Sequence, residues 1–122
     1  MKKVLTVLLI LACCLPAAIA AKDSFEEIIK PIFQQSCVKC HGENGKVKGK
    51  LNLLEIKSRD QLLGDAERIE RIMIAIEDGD MPPEKEPPLS VKKRDLLISR
   101  LDEDLKKALE QNTVEARTAI RR

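Results

Sequence analysis

Two cysteines three positions apart, with a histidine directly behind the second, constrain this chain more than any other feature. They stand in the stretch QSCVKCHGENG, as Cys37, Cys40 and His41. Three chemistries fit such a trio: a redox dithiol, a zinc site, or a covalently held haem. Each needs different company from the rest of the chain.

The N-terminus reads as a secretory leader, residues 1–20. Lys2 and Lys3 form a positive n-region, residues 4–15 an apolar h-region, and Ala18-Ile19-Ala20 an A-x-A cleavage site. The h-region is too short to span a bilayer comfortably. A retained anchor, or a lipid on Cys13, is the alternative; Leu11 fits a lipidation site poorly. Cleavage after Ala20 of the 122 residues leaves 102, enough for one small domain. It also removes Lys2 and Lys3, so Lys+Arg falls from 22 to 20 and balances the 20 Asp+Glu. A near-neutral chain argues against nucleic acid as a partner. Cys13 and Cys14 leave as well, so Cys37 and Cys40 are the mature cysteines. A loop closed at i, i+3 is too small to staple a fold, which excludes a disulfide scaffold.

The patterning is all-α, with about four helical segments and no sustained strand alternation. Residues 24–36 place Phe25, Ile28, Ile29, Ile32 and Phe33 on one helical face. Ser24 is the expected N-cap, Glu26 and Glu27 suit the first turn, and Pro31 predicts a kink or restart. Residues 42–50 carry three glycines and read as a loop. KLNLLEI, residues 50–56, is too short to classify by period. A helix is predicted over about 65–77, with Ile69, Ile72, Met73 and Ile76 as its stripe. Residues 78–90 hold four prolines and form a loop. The last helix is predicted from Ser90 to about Gln111, with Leu97, Leu101, Leu105 and Ala108/Leu109 facing inward. The domain is thus residues 21–111, and residues 112–122 extend the helix or fray as a basic tail. With two phenylalanines and no Trp or Tyr, a bulky apolar cofactor would help to complete the core.

This surround separates the three chemistries. A thioredoxin-type dithiol sits beside a βαβ sheet, for which there is no pattern here. Structural zinc takes four ligands, usually as two pairs, and His41 is the sole histidine. Covalent haem suits each residue. On one helical turn both thiols share a face and can form thioethers with the two vinyl groups, while the adjacent imidazole reaches the iron. Export fits, since such proteins are completed outside the cytoplasm. One haem c per chain is expected, with Cys37 and Cys40 as thioether sites and His41 as proximal ligand. For the distal ligand, Met73 lies in the core stripe. Met81 stands in GDMPPEKEPP, where prolines would hold its sulfur in place before iron arrives. Met81 is the expected ligand.

The stretches IIKPIFQQSCVKCHG, KGKLNL and AIEDGDMPPEKEPPLS, followed by an amphipathic helix, cover most of residues 25–109. In that order the chain resembles the small monohaem c-type cytochromes, most closely the planctomycete-type cytochrome c domains. The resemblance implies a class I cytochrome c-like bundle around the haem, with the first and last helices packed together and Leu51 and Leu53 near the group. It implies a periplasmic one-electron carrier cycling Fe(II)/Fe(III), not an enzyme. Its partners would be redox proteins (an oxidase, reductase or dehydrogenase), with membrane contact only if the leader is retained or lipidated. An open distal site would instead suit a haem enzyme or a gas or redox sensor, and a CxxC zinc or dithiol module is the remaining alternative. The chain departs from the family pattern in three ways. No proline follows the motif before Met81 to accept the histidine N–H, the last helix lacks its usual aromatic residue, and no Trp or Tyr awaits the haem carboxylates. Lys50, Asn52 and Arg59 are candidate substitutes for that last role.

Overall fold

Pro31 decides how the first helical segment is built. It has no N–H to donate, so a continuous α-helix cannot run through it without losing a bond. The chain answers with a wide π turn over Phe25–Ile29, in which the Lys30 N–H reaches the Phe25 carbonyl. An α-helix, α1, then restarts at Lys30–Ser36 with Pro31 in its first turn, where no donor is needed. Ser24 does not cap this segment. Asp23 does, its Oδ1 accepting the Phe25 N–H at 2.9 Å.

The computed structural model describes residues 23–120. The leader, with Cys13 and Ala20, lies outside them, as do Arg121 and Arg122. Three further α-helices follow α1: α2 over Arg59–Leu63, α3 over Ala66–Glu77 and α4 over Val91–Ile120. No strand occurs among the described residues, and one isolated bridge joins His41 to Val47. The fold is all-α. No helix of the described residues is long and apolar enough to cross a membrane.

Side-chain caps explain where the later helices begin. Ser58 Oγ accepts the Gln61 N–H before α2, Asp65 Oδ1 the Arg68 N–H before α3, and Ser90 Oγ the Lys93 N–H before α4. The core is one cluster. Phe25, Ile29, Ile32 and Phe33 meet Leu62 and Leu63, then Ile69, Ile72, Met73 and Ile76, then Leu97 and Leu101. α4 packs on α3, on α2 and on the Phe25–Ile29 turn, so the first and last helical segments touch.

α4 takes the longer of its two expected lengths and differs from its expected pattern in its buried face. It continues to Ile120, so residues 112–120 prolong the helix, all of them exposed. Its buried face is Leu97, Leu101, Asp104 and Ala108, with Leu105 half-buried and Leu109 exposed. Asp104 stands at helical spacing between two buried positions, and a carboxylate can stay there only if paired. Arg59 supplies the pair: its Nε donates to Asp104 Oδ1 at 2.9 Å and its Nη2 to the same oxygen. This ties α2 to α4 across 45 residues. It also directs Arg59, a candidate partner of a bound carboxylate, to Asp104, and Arg59 does not line the cavity beside Cys37, Cys40 and His41. Arg59→Leu should therefore destabilise the fold by about 3–5 kcal/mol, since it strands a buried acid. The double variant Arg59→Leu/Asp104→Leu should recover most of that loss. Urea unfolding midpoints of the two variants check both statements.

Candidate functional site

The turn after α1 carries the Cys-x-x-Cys-His motif. Cys37 ends the helix with its N–H on the Phe33 carbonyl at 2.9 Å. The Cys40 and His41 N–H groups then both return to the Cys37 carbonyl, at 3.2 and 3.1 Å. A single tight turn thus sets the two cysteines and the imidazole side by side. The segment beyond folds back over it. The Lys48 N–H reaches the Cys40 carbonyl at 3.2 Å, and the Leu53 N–H reaches the His41 carbonyl at 2.8 Å.

Gly42 makes that return fit. Its φ of +150° is one that L side chains rarely adopt. A Cβ there would lie 2.7 Å from Leu54 Cγ and 2.8 Å from Asn52 Oδ1. That Asn52 oxygen is already engaged, accepting the Leu54 N–H at 3.1 Å. Gly42→Ala should cost about 1–3 kcal/mol through strain and overpacking next to the motif, read as a lowered thermal unfolding midpoint.

A cavity of about 380 Å3 opens beside the motif. Such a volume lies within the roughly 300–1,000 Å3 range of small-molecule and cofactor sites. Cys37, Cys40, His41, Leu51, Leu53 and Met81 all line it, although they come from three separate segments. Phe33, Ile72, Ile76 and Leu89 add apolar wall. The Met81 N–H donates to the Ala75 carbonyl at 2.9 Å, which folds the proline-rich loop back over the end of α3. The Met81 side chain is 37% exposed at the cavity. Met73, by contrast, is buried in the core with its α3 neighbours and is not part of the lining.

The charged groups of the lining fall into two sets. Lys39 and Glu86 pair with each other, Nζ to the two carboxylate oxygens at 2.7 and 2.8 Å. Lys48, Arg68 and Arg71 are cationic, and Asp80 adds a carboxylate. Arg71 donates Nη2 to the Gly49 carbonyl at 3.0 Å, and Arg68 bridges to Asp65 at 3.0 Å. Neither arginine was among the expected partners of a bound carboxylate. Their signal was present in RIERIMIAI: positions 68, 71, 72 and 75 share a helical face beside the core stripe. Lys50 is exposed, and Asn52 is occupied with the Leu54 N–H and with Glu55. Neither lines the cavity.

The site's donors bear on what it can hold. Cys37 and Cys40 are free thiols. Burial pushes the Cys37 thiol up to about 11, so it stays protonated near neutral pH. A reactive dithiol wants the opposite, a depressed pKa. Among the described residues no group of three or more His, Cys, Asp and Glu side chains is placed to hold a metal ion, as a closed zinc site needs. His41 is buried, and its Nδ1 has no hydrogen-bond partner among the described residues. A flat apolar group with two reactive edge carbons, a central metal and carboxylate substituents fits this set: thiols and imidazole on one turn, a thioether sulfur from the loop, hydrocarbon walls, and arginines in the lining.

Comparison with protein-family models, curated proteins and solved structures finds no match.

Proposed function

We propose that the chain holds one haem c, bound as thioethers through Cys37 and Cys40, with His41 and Met81 as axial iron ligands, and works as an exported one-electron carrier of class I cytochrome c-like architecture. The haem would supply a reversible Fe(II)/Fe(III) couple. The observation that carries the reading is the convergence of Cys37, Cys40, His41 and Met81 on one cavity, from segments 40 residues apart in the chain.

The chain's own residues then have defined tasks. Phe33, Leu51, Leu53 and Ile72 line the cavity with hydrocarbon and would keep water from the bound group, which would favour the less charged, reduced state. The Met81 thioether would hold the metal, raise the potential further and leave no open position for oxygen or peroxide. Arg68 and Arg71 offer guanidinium groups to the carboxylates of the bound group. Replacing both with leucine should leave the covalent attachment intact. It should also raise the pKa of those carboxylates, because an opposite charge is lost, and so make the midpoint potential vary with pH between about 5 and 8. Potentiometric titration at several pH values checks this.

A second reading draws on the exposure of Met81. A half-open loop methionine that leaves the iron would give a site for a diatomic gas or peroxide, and so a sensor or haem enzyme. The visible spectrum of the oxidised protein, made in a host that matures haem c, separates the two. A low-spin spectrum with a methionine–iron charge-transfer band supports the carrier. A high-spin resting spectrum supports the open site. Donor and acceptor would be redox proteins that approach the cysteine edge.

A further inference from the structure

The proline-rich loop that presents Met81 packs Leu89 against the core and is otherwise held by few polar contacts. At its start the Met81 N–H holds the Ala75 carbonyl, and near its base Arg94 Nη2 holds the Glu77 carbonyl at 2.7 Å. The Glu86 N–H turns inward, to the Pro83 carbonyl at 2.8 Å. The Met81 and Glu86 bonds tie the loop to α3 and to itself, and the Arg94 bond joins α4 to the end of α3. Across the cavity, among the described residues, one polar contact joins the loop to the motif: the Lys39–Glu86 ion pair, spanning 47 residues. Lys39 sits between Cys37 and Cys40, on a backbone fixed by the turn, and Glu86 lies five residues after Met81. Both line the cavity.

The strength of this contact matters as much as its place. The Lys39 side chain is 66% exposed and that of Glu86 26% exposed. Ion pairs so open to water hold weakly and are screened by salt. The pair can bias the loop toward closure without locking it.

We propose that Lys39 and Glu86 form a salt-sensitive clasp that positions Met81 over the cavity, so that ionic strength sets how readily a small exogenous ligand displaces the methionine. This rests on the haem reading above. Lys39 and Glu86 are positioning residues: neither is a ligand, and both act through Met81. In a carrier, the same clasp would loosen when a charged redox partner competes for Lys39, coupling docking to the distal ligand.

Imidazole titration of the oxidised haem-loaded protein, followed in the visible spectrum, tests this. The set is wild type, Lys39→Gln, Glu86→Gln and the charge-reversed double variant Lys39→Glu/Glu86→Lys. At low salt each single variant should bind imidazole roughly two- to five-fold more tightly than wild type. At about 1 M salt, where the screening length is about 3 Å, the gap should close. The double variant should return toward wild type, which a role in folding alone would not produce. Single variants indistinguishable from wild type at low salt, or a double variant no closer to it than the singles, would overturn the clasp and leave the haem reading standing. A wild-type protein without a haem spectrum would overturn both.

Discussion

A chain carrying Cys37→Ala together with Cys40→Ala is expected to leave a haem-maturing host colourless and poorly folded. Without thiols no thioether can form, and His41 and Met81 would have to retain the group by ligation alone. The structural consequence follows from the core. Its large side chains are few, two phenylalanines among aliphatic residues, and the cavity occupies about 380 Å3 beside them. Exposed side chains such as Ile74 and Met81 on its lining let water into the unfilled site, so apolar wall that the bound group would cover stays wet. A domain has only about 5–15 kcal/mol of stability in total, so the loss of that burial matters. Either single alanine variant should keep one thioether and a reduced yield of coloured protein. Haem staining on a denaturing gel, with far-ultraviolet circular dichroism of the same samples, reads both parts.

Met81→Ala should change the electronic state and leave the fold nearly intact. Met81 is exposed and contributes little to the core, so its thermal midpoint should move by a few degrees at most. Loss of the thioether should abolish the charge-transfer band and turn the ferric spectrum high-spin. The midpoint potential should fall by about 0.1–0.3 V, a fraction of the roughly 0.8 V that axial ligation spans. Met73→Leu is the matched control. Met73 packs among Ile69, Ile72 and Ile76, and a near-isosteric swap there should leave the spectrum unchanged. A spectral change in Met73→Leu with none in Met81→Ala would reverse the assignment of the distal ligand.

What the sequence makes legible, and what it hides, divides by the range of the interactions. α3 is legible because a capping residue and a 3.6-residue stripe agree: Asp65 stands before Ala66, and Ile69, Ile72, Met73 and Ile76 follow. The break at Pro31 is equally local. The π turn before it is not, because it also depends on Asp23 in place of Ser24 taking the Phe25 N–H. α2 is five residues long, too short for a period to register, and only Ser58 marks its start. Asp104 looks like a solvated charge until Arg59, far off in the chain, folds against it. The motif residues are legible because Cys37, Cys40 and His41 share one turn. The chemistry of its loop favours Met81 over Met73, and Met81 lines the cavity that Cys37, Cys40 and His41 also line, whereas Met73 does not. Arg68 and Arg71 share a local helical face in RIERIMIAI, but that this face borders a cavity, and that Lys39 meets Glu86, follows only when α3 and the loop close over the motif.

The intact mass of the denatured protein, purified from a host that matures haem c, tests the central claim most directly, since thioether bonds survive unfolding. The account predicts one species, heavier than the processed polypeptide by a single haem. A mass equal to that of the bare polypeptide would contradict it.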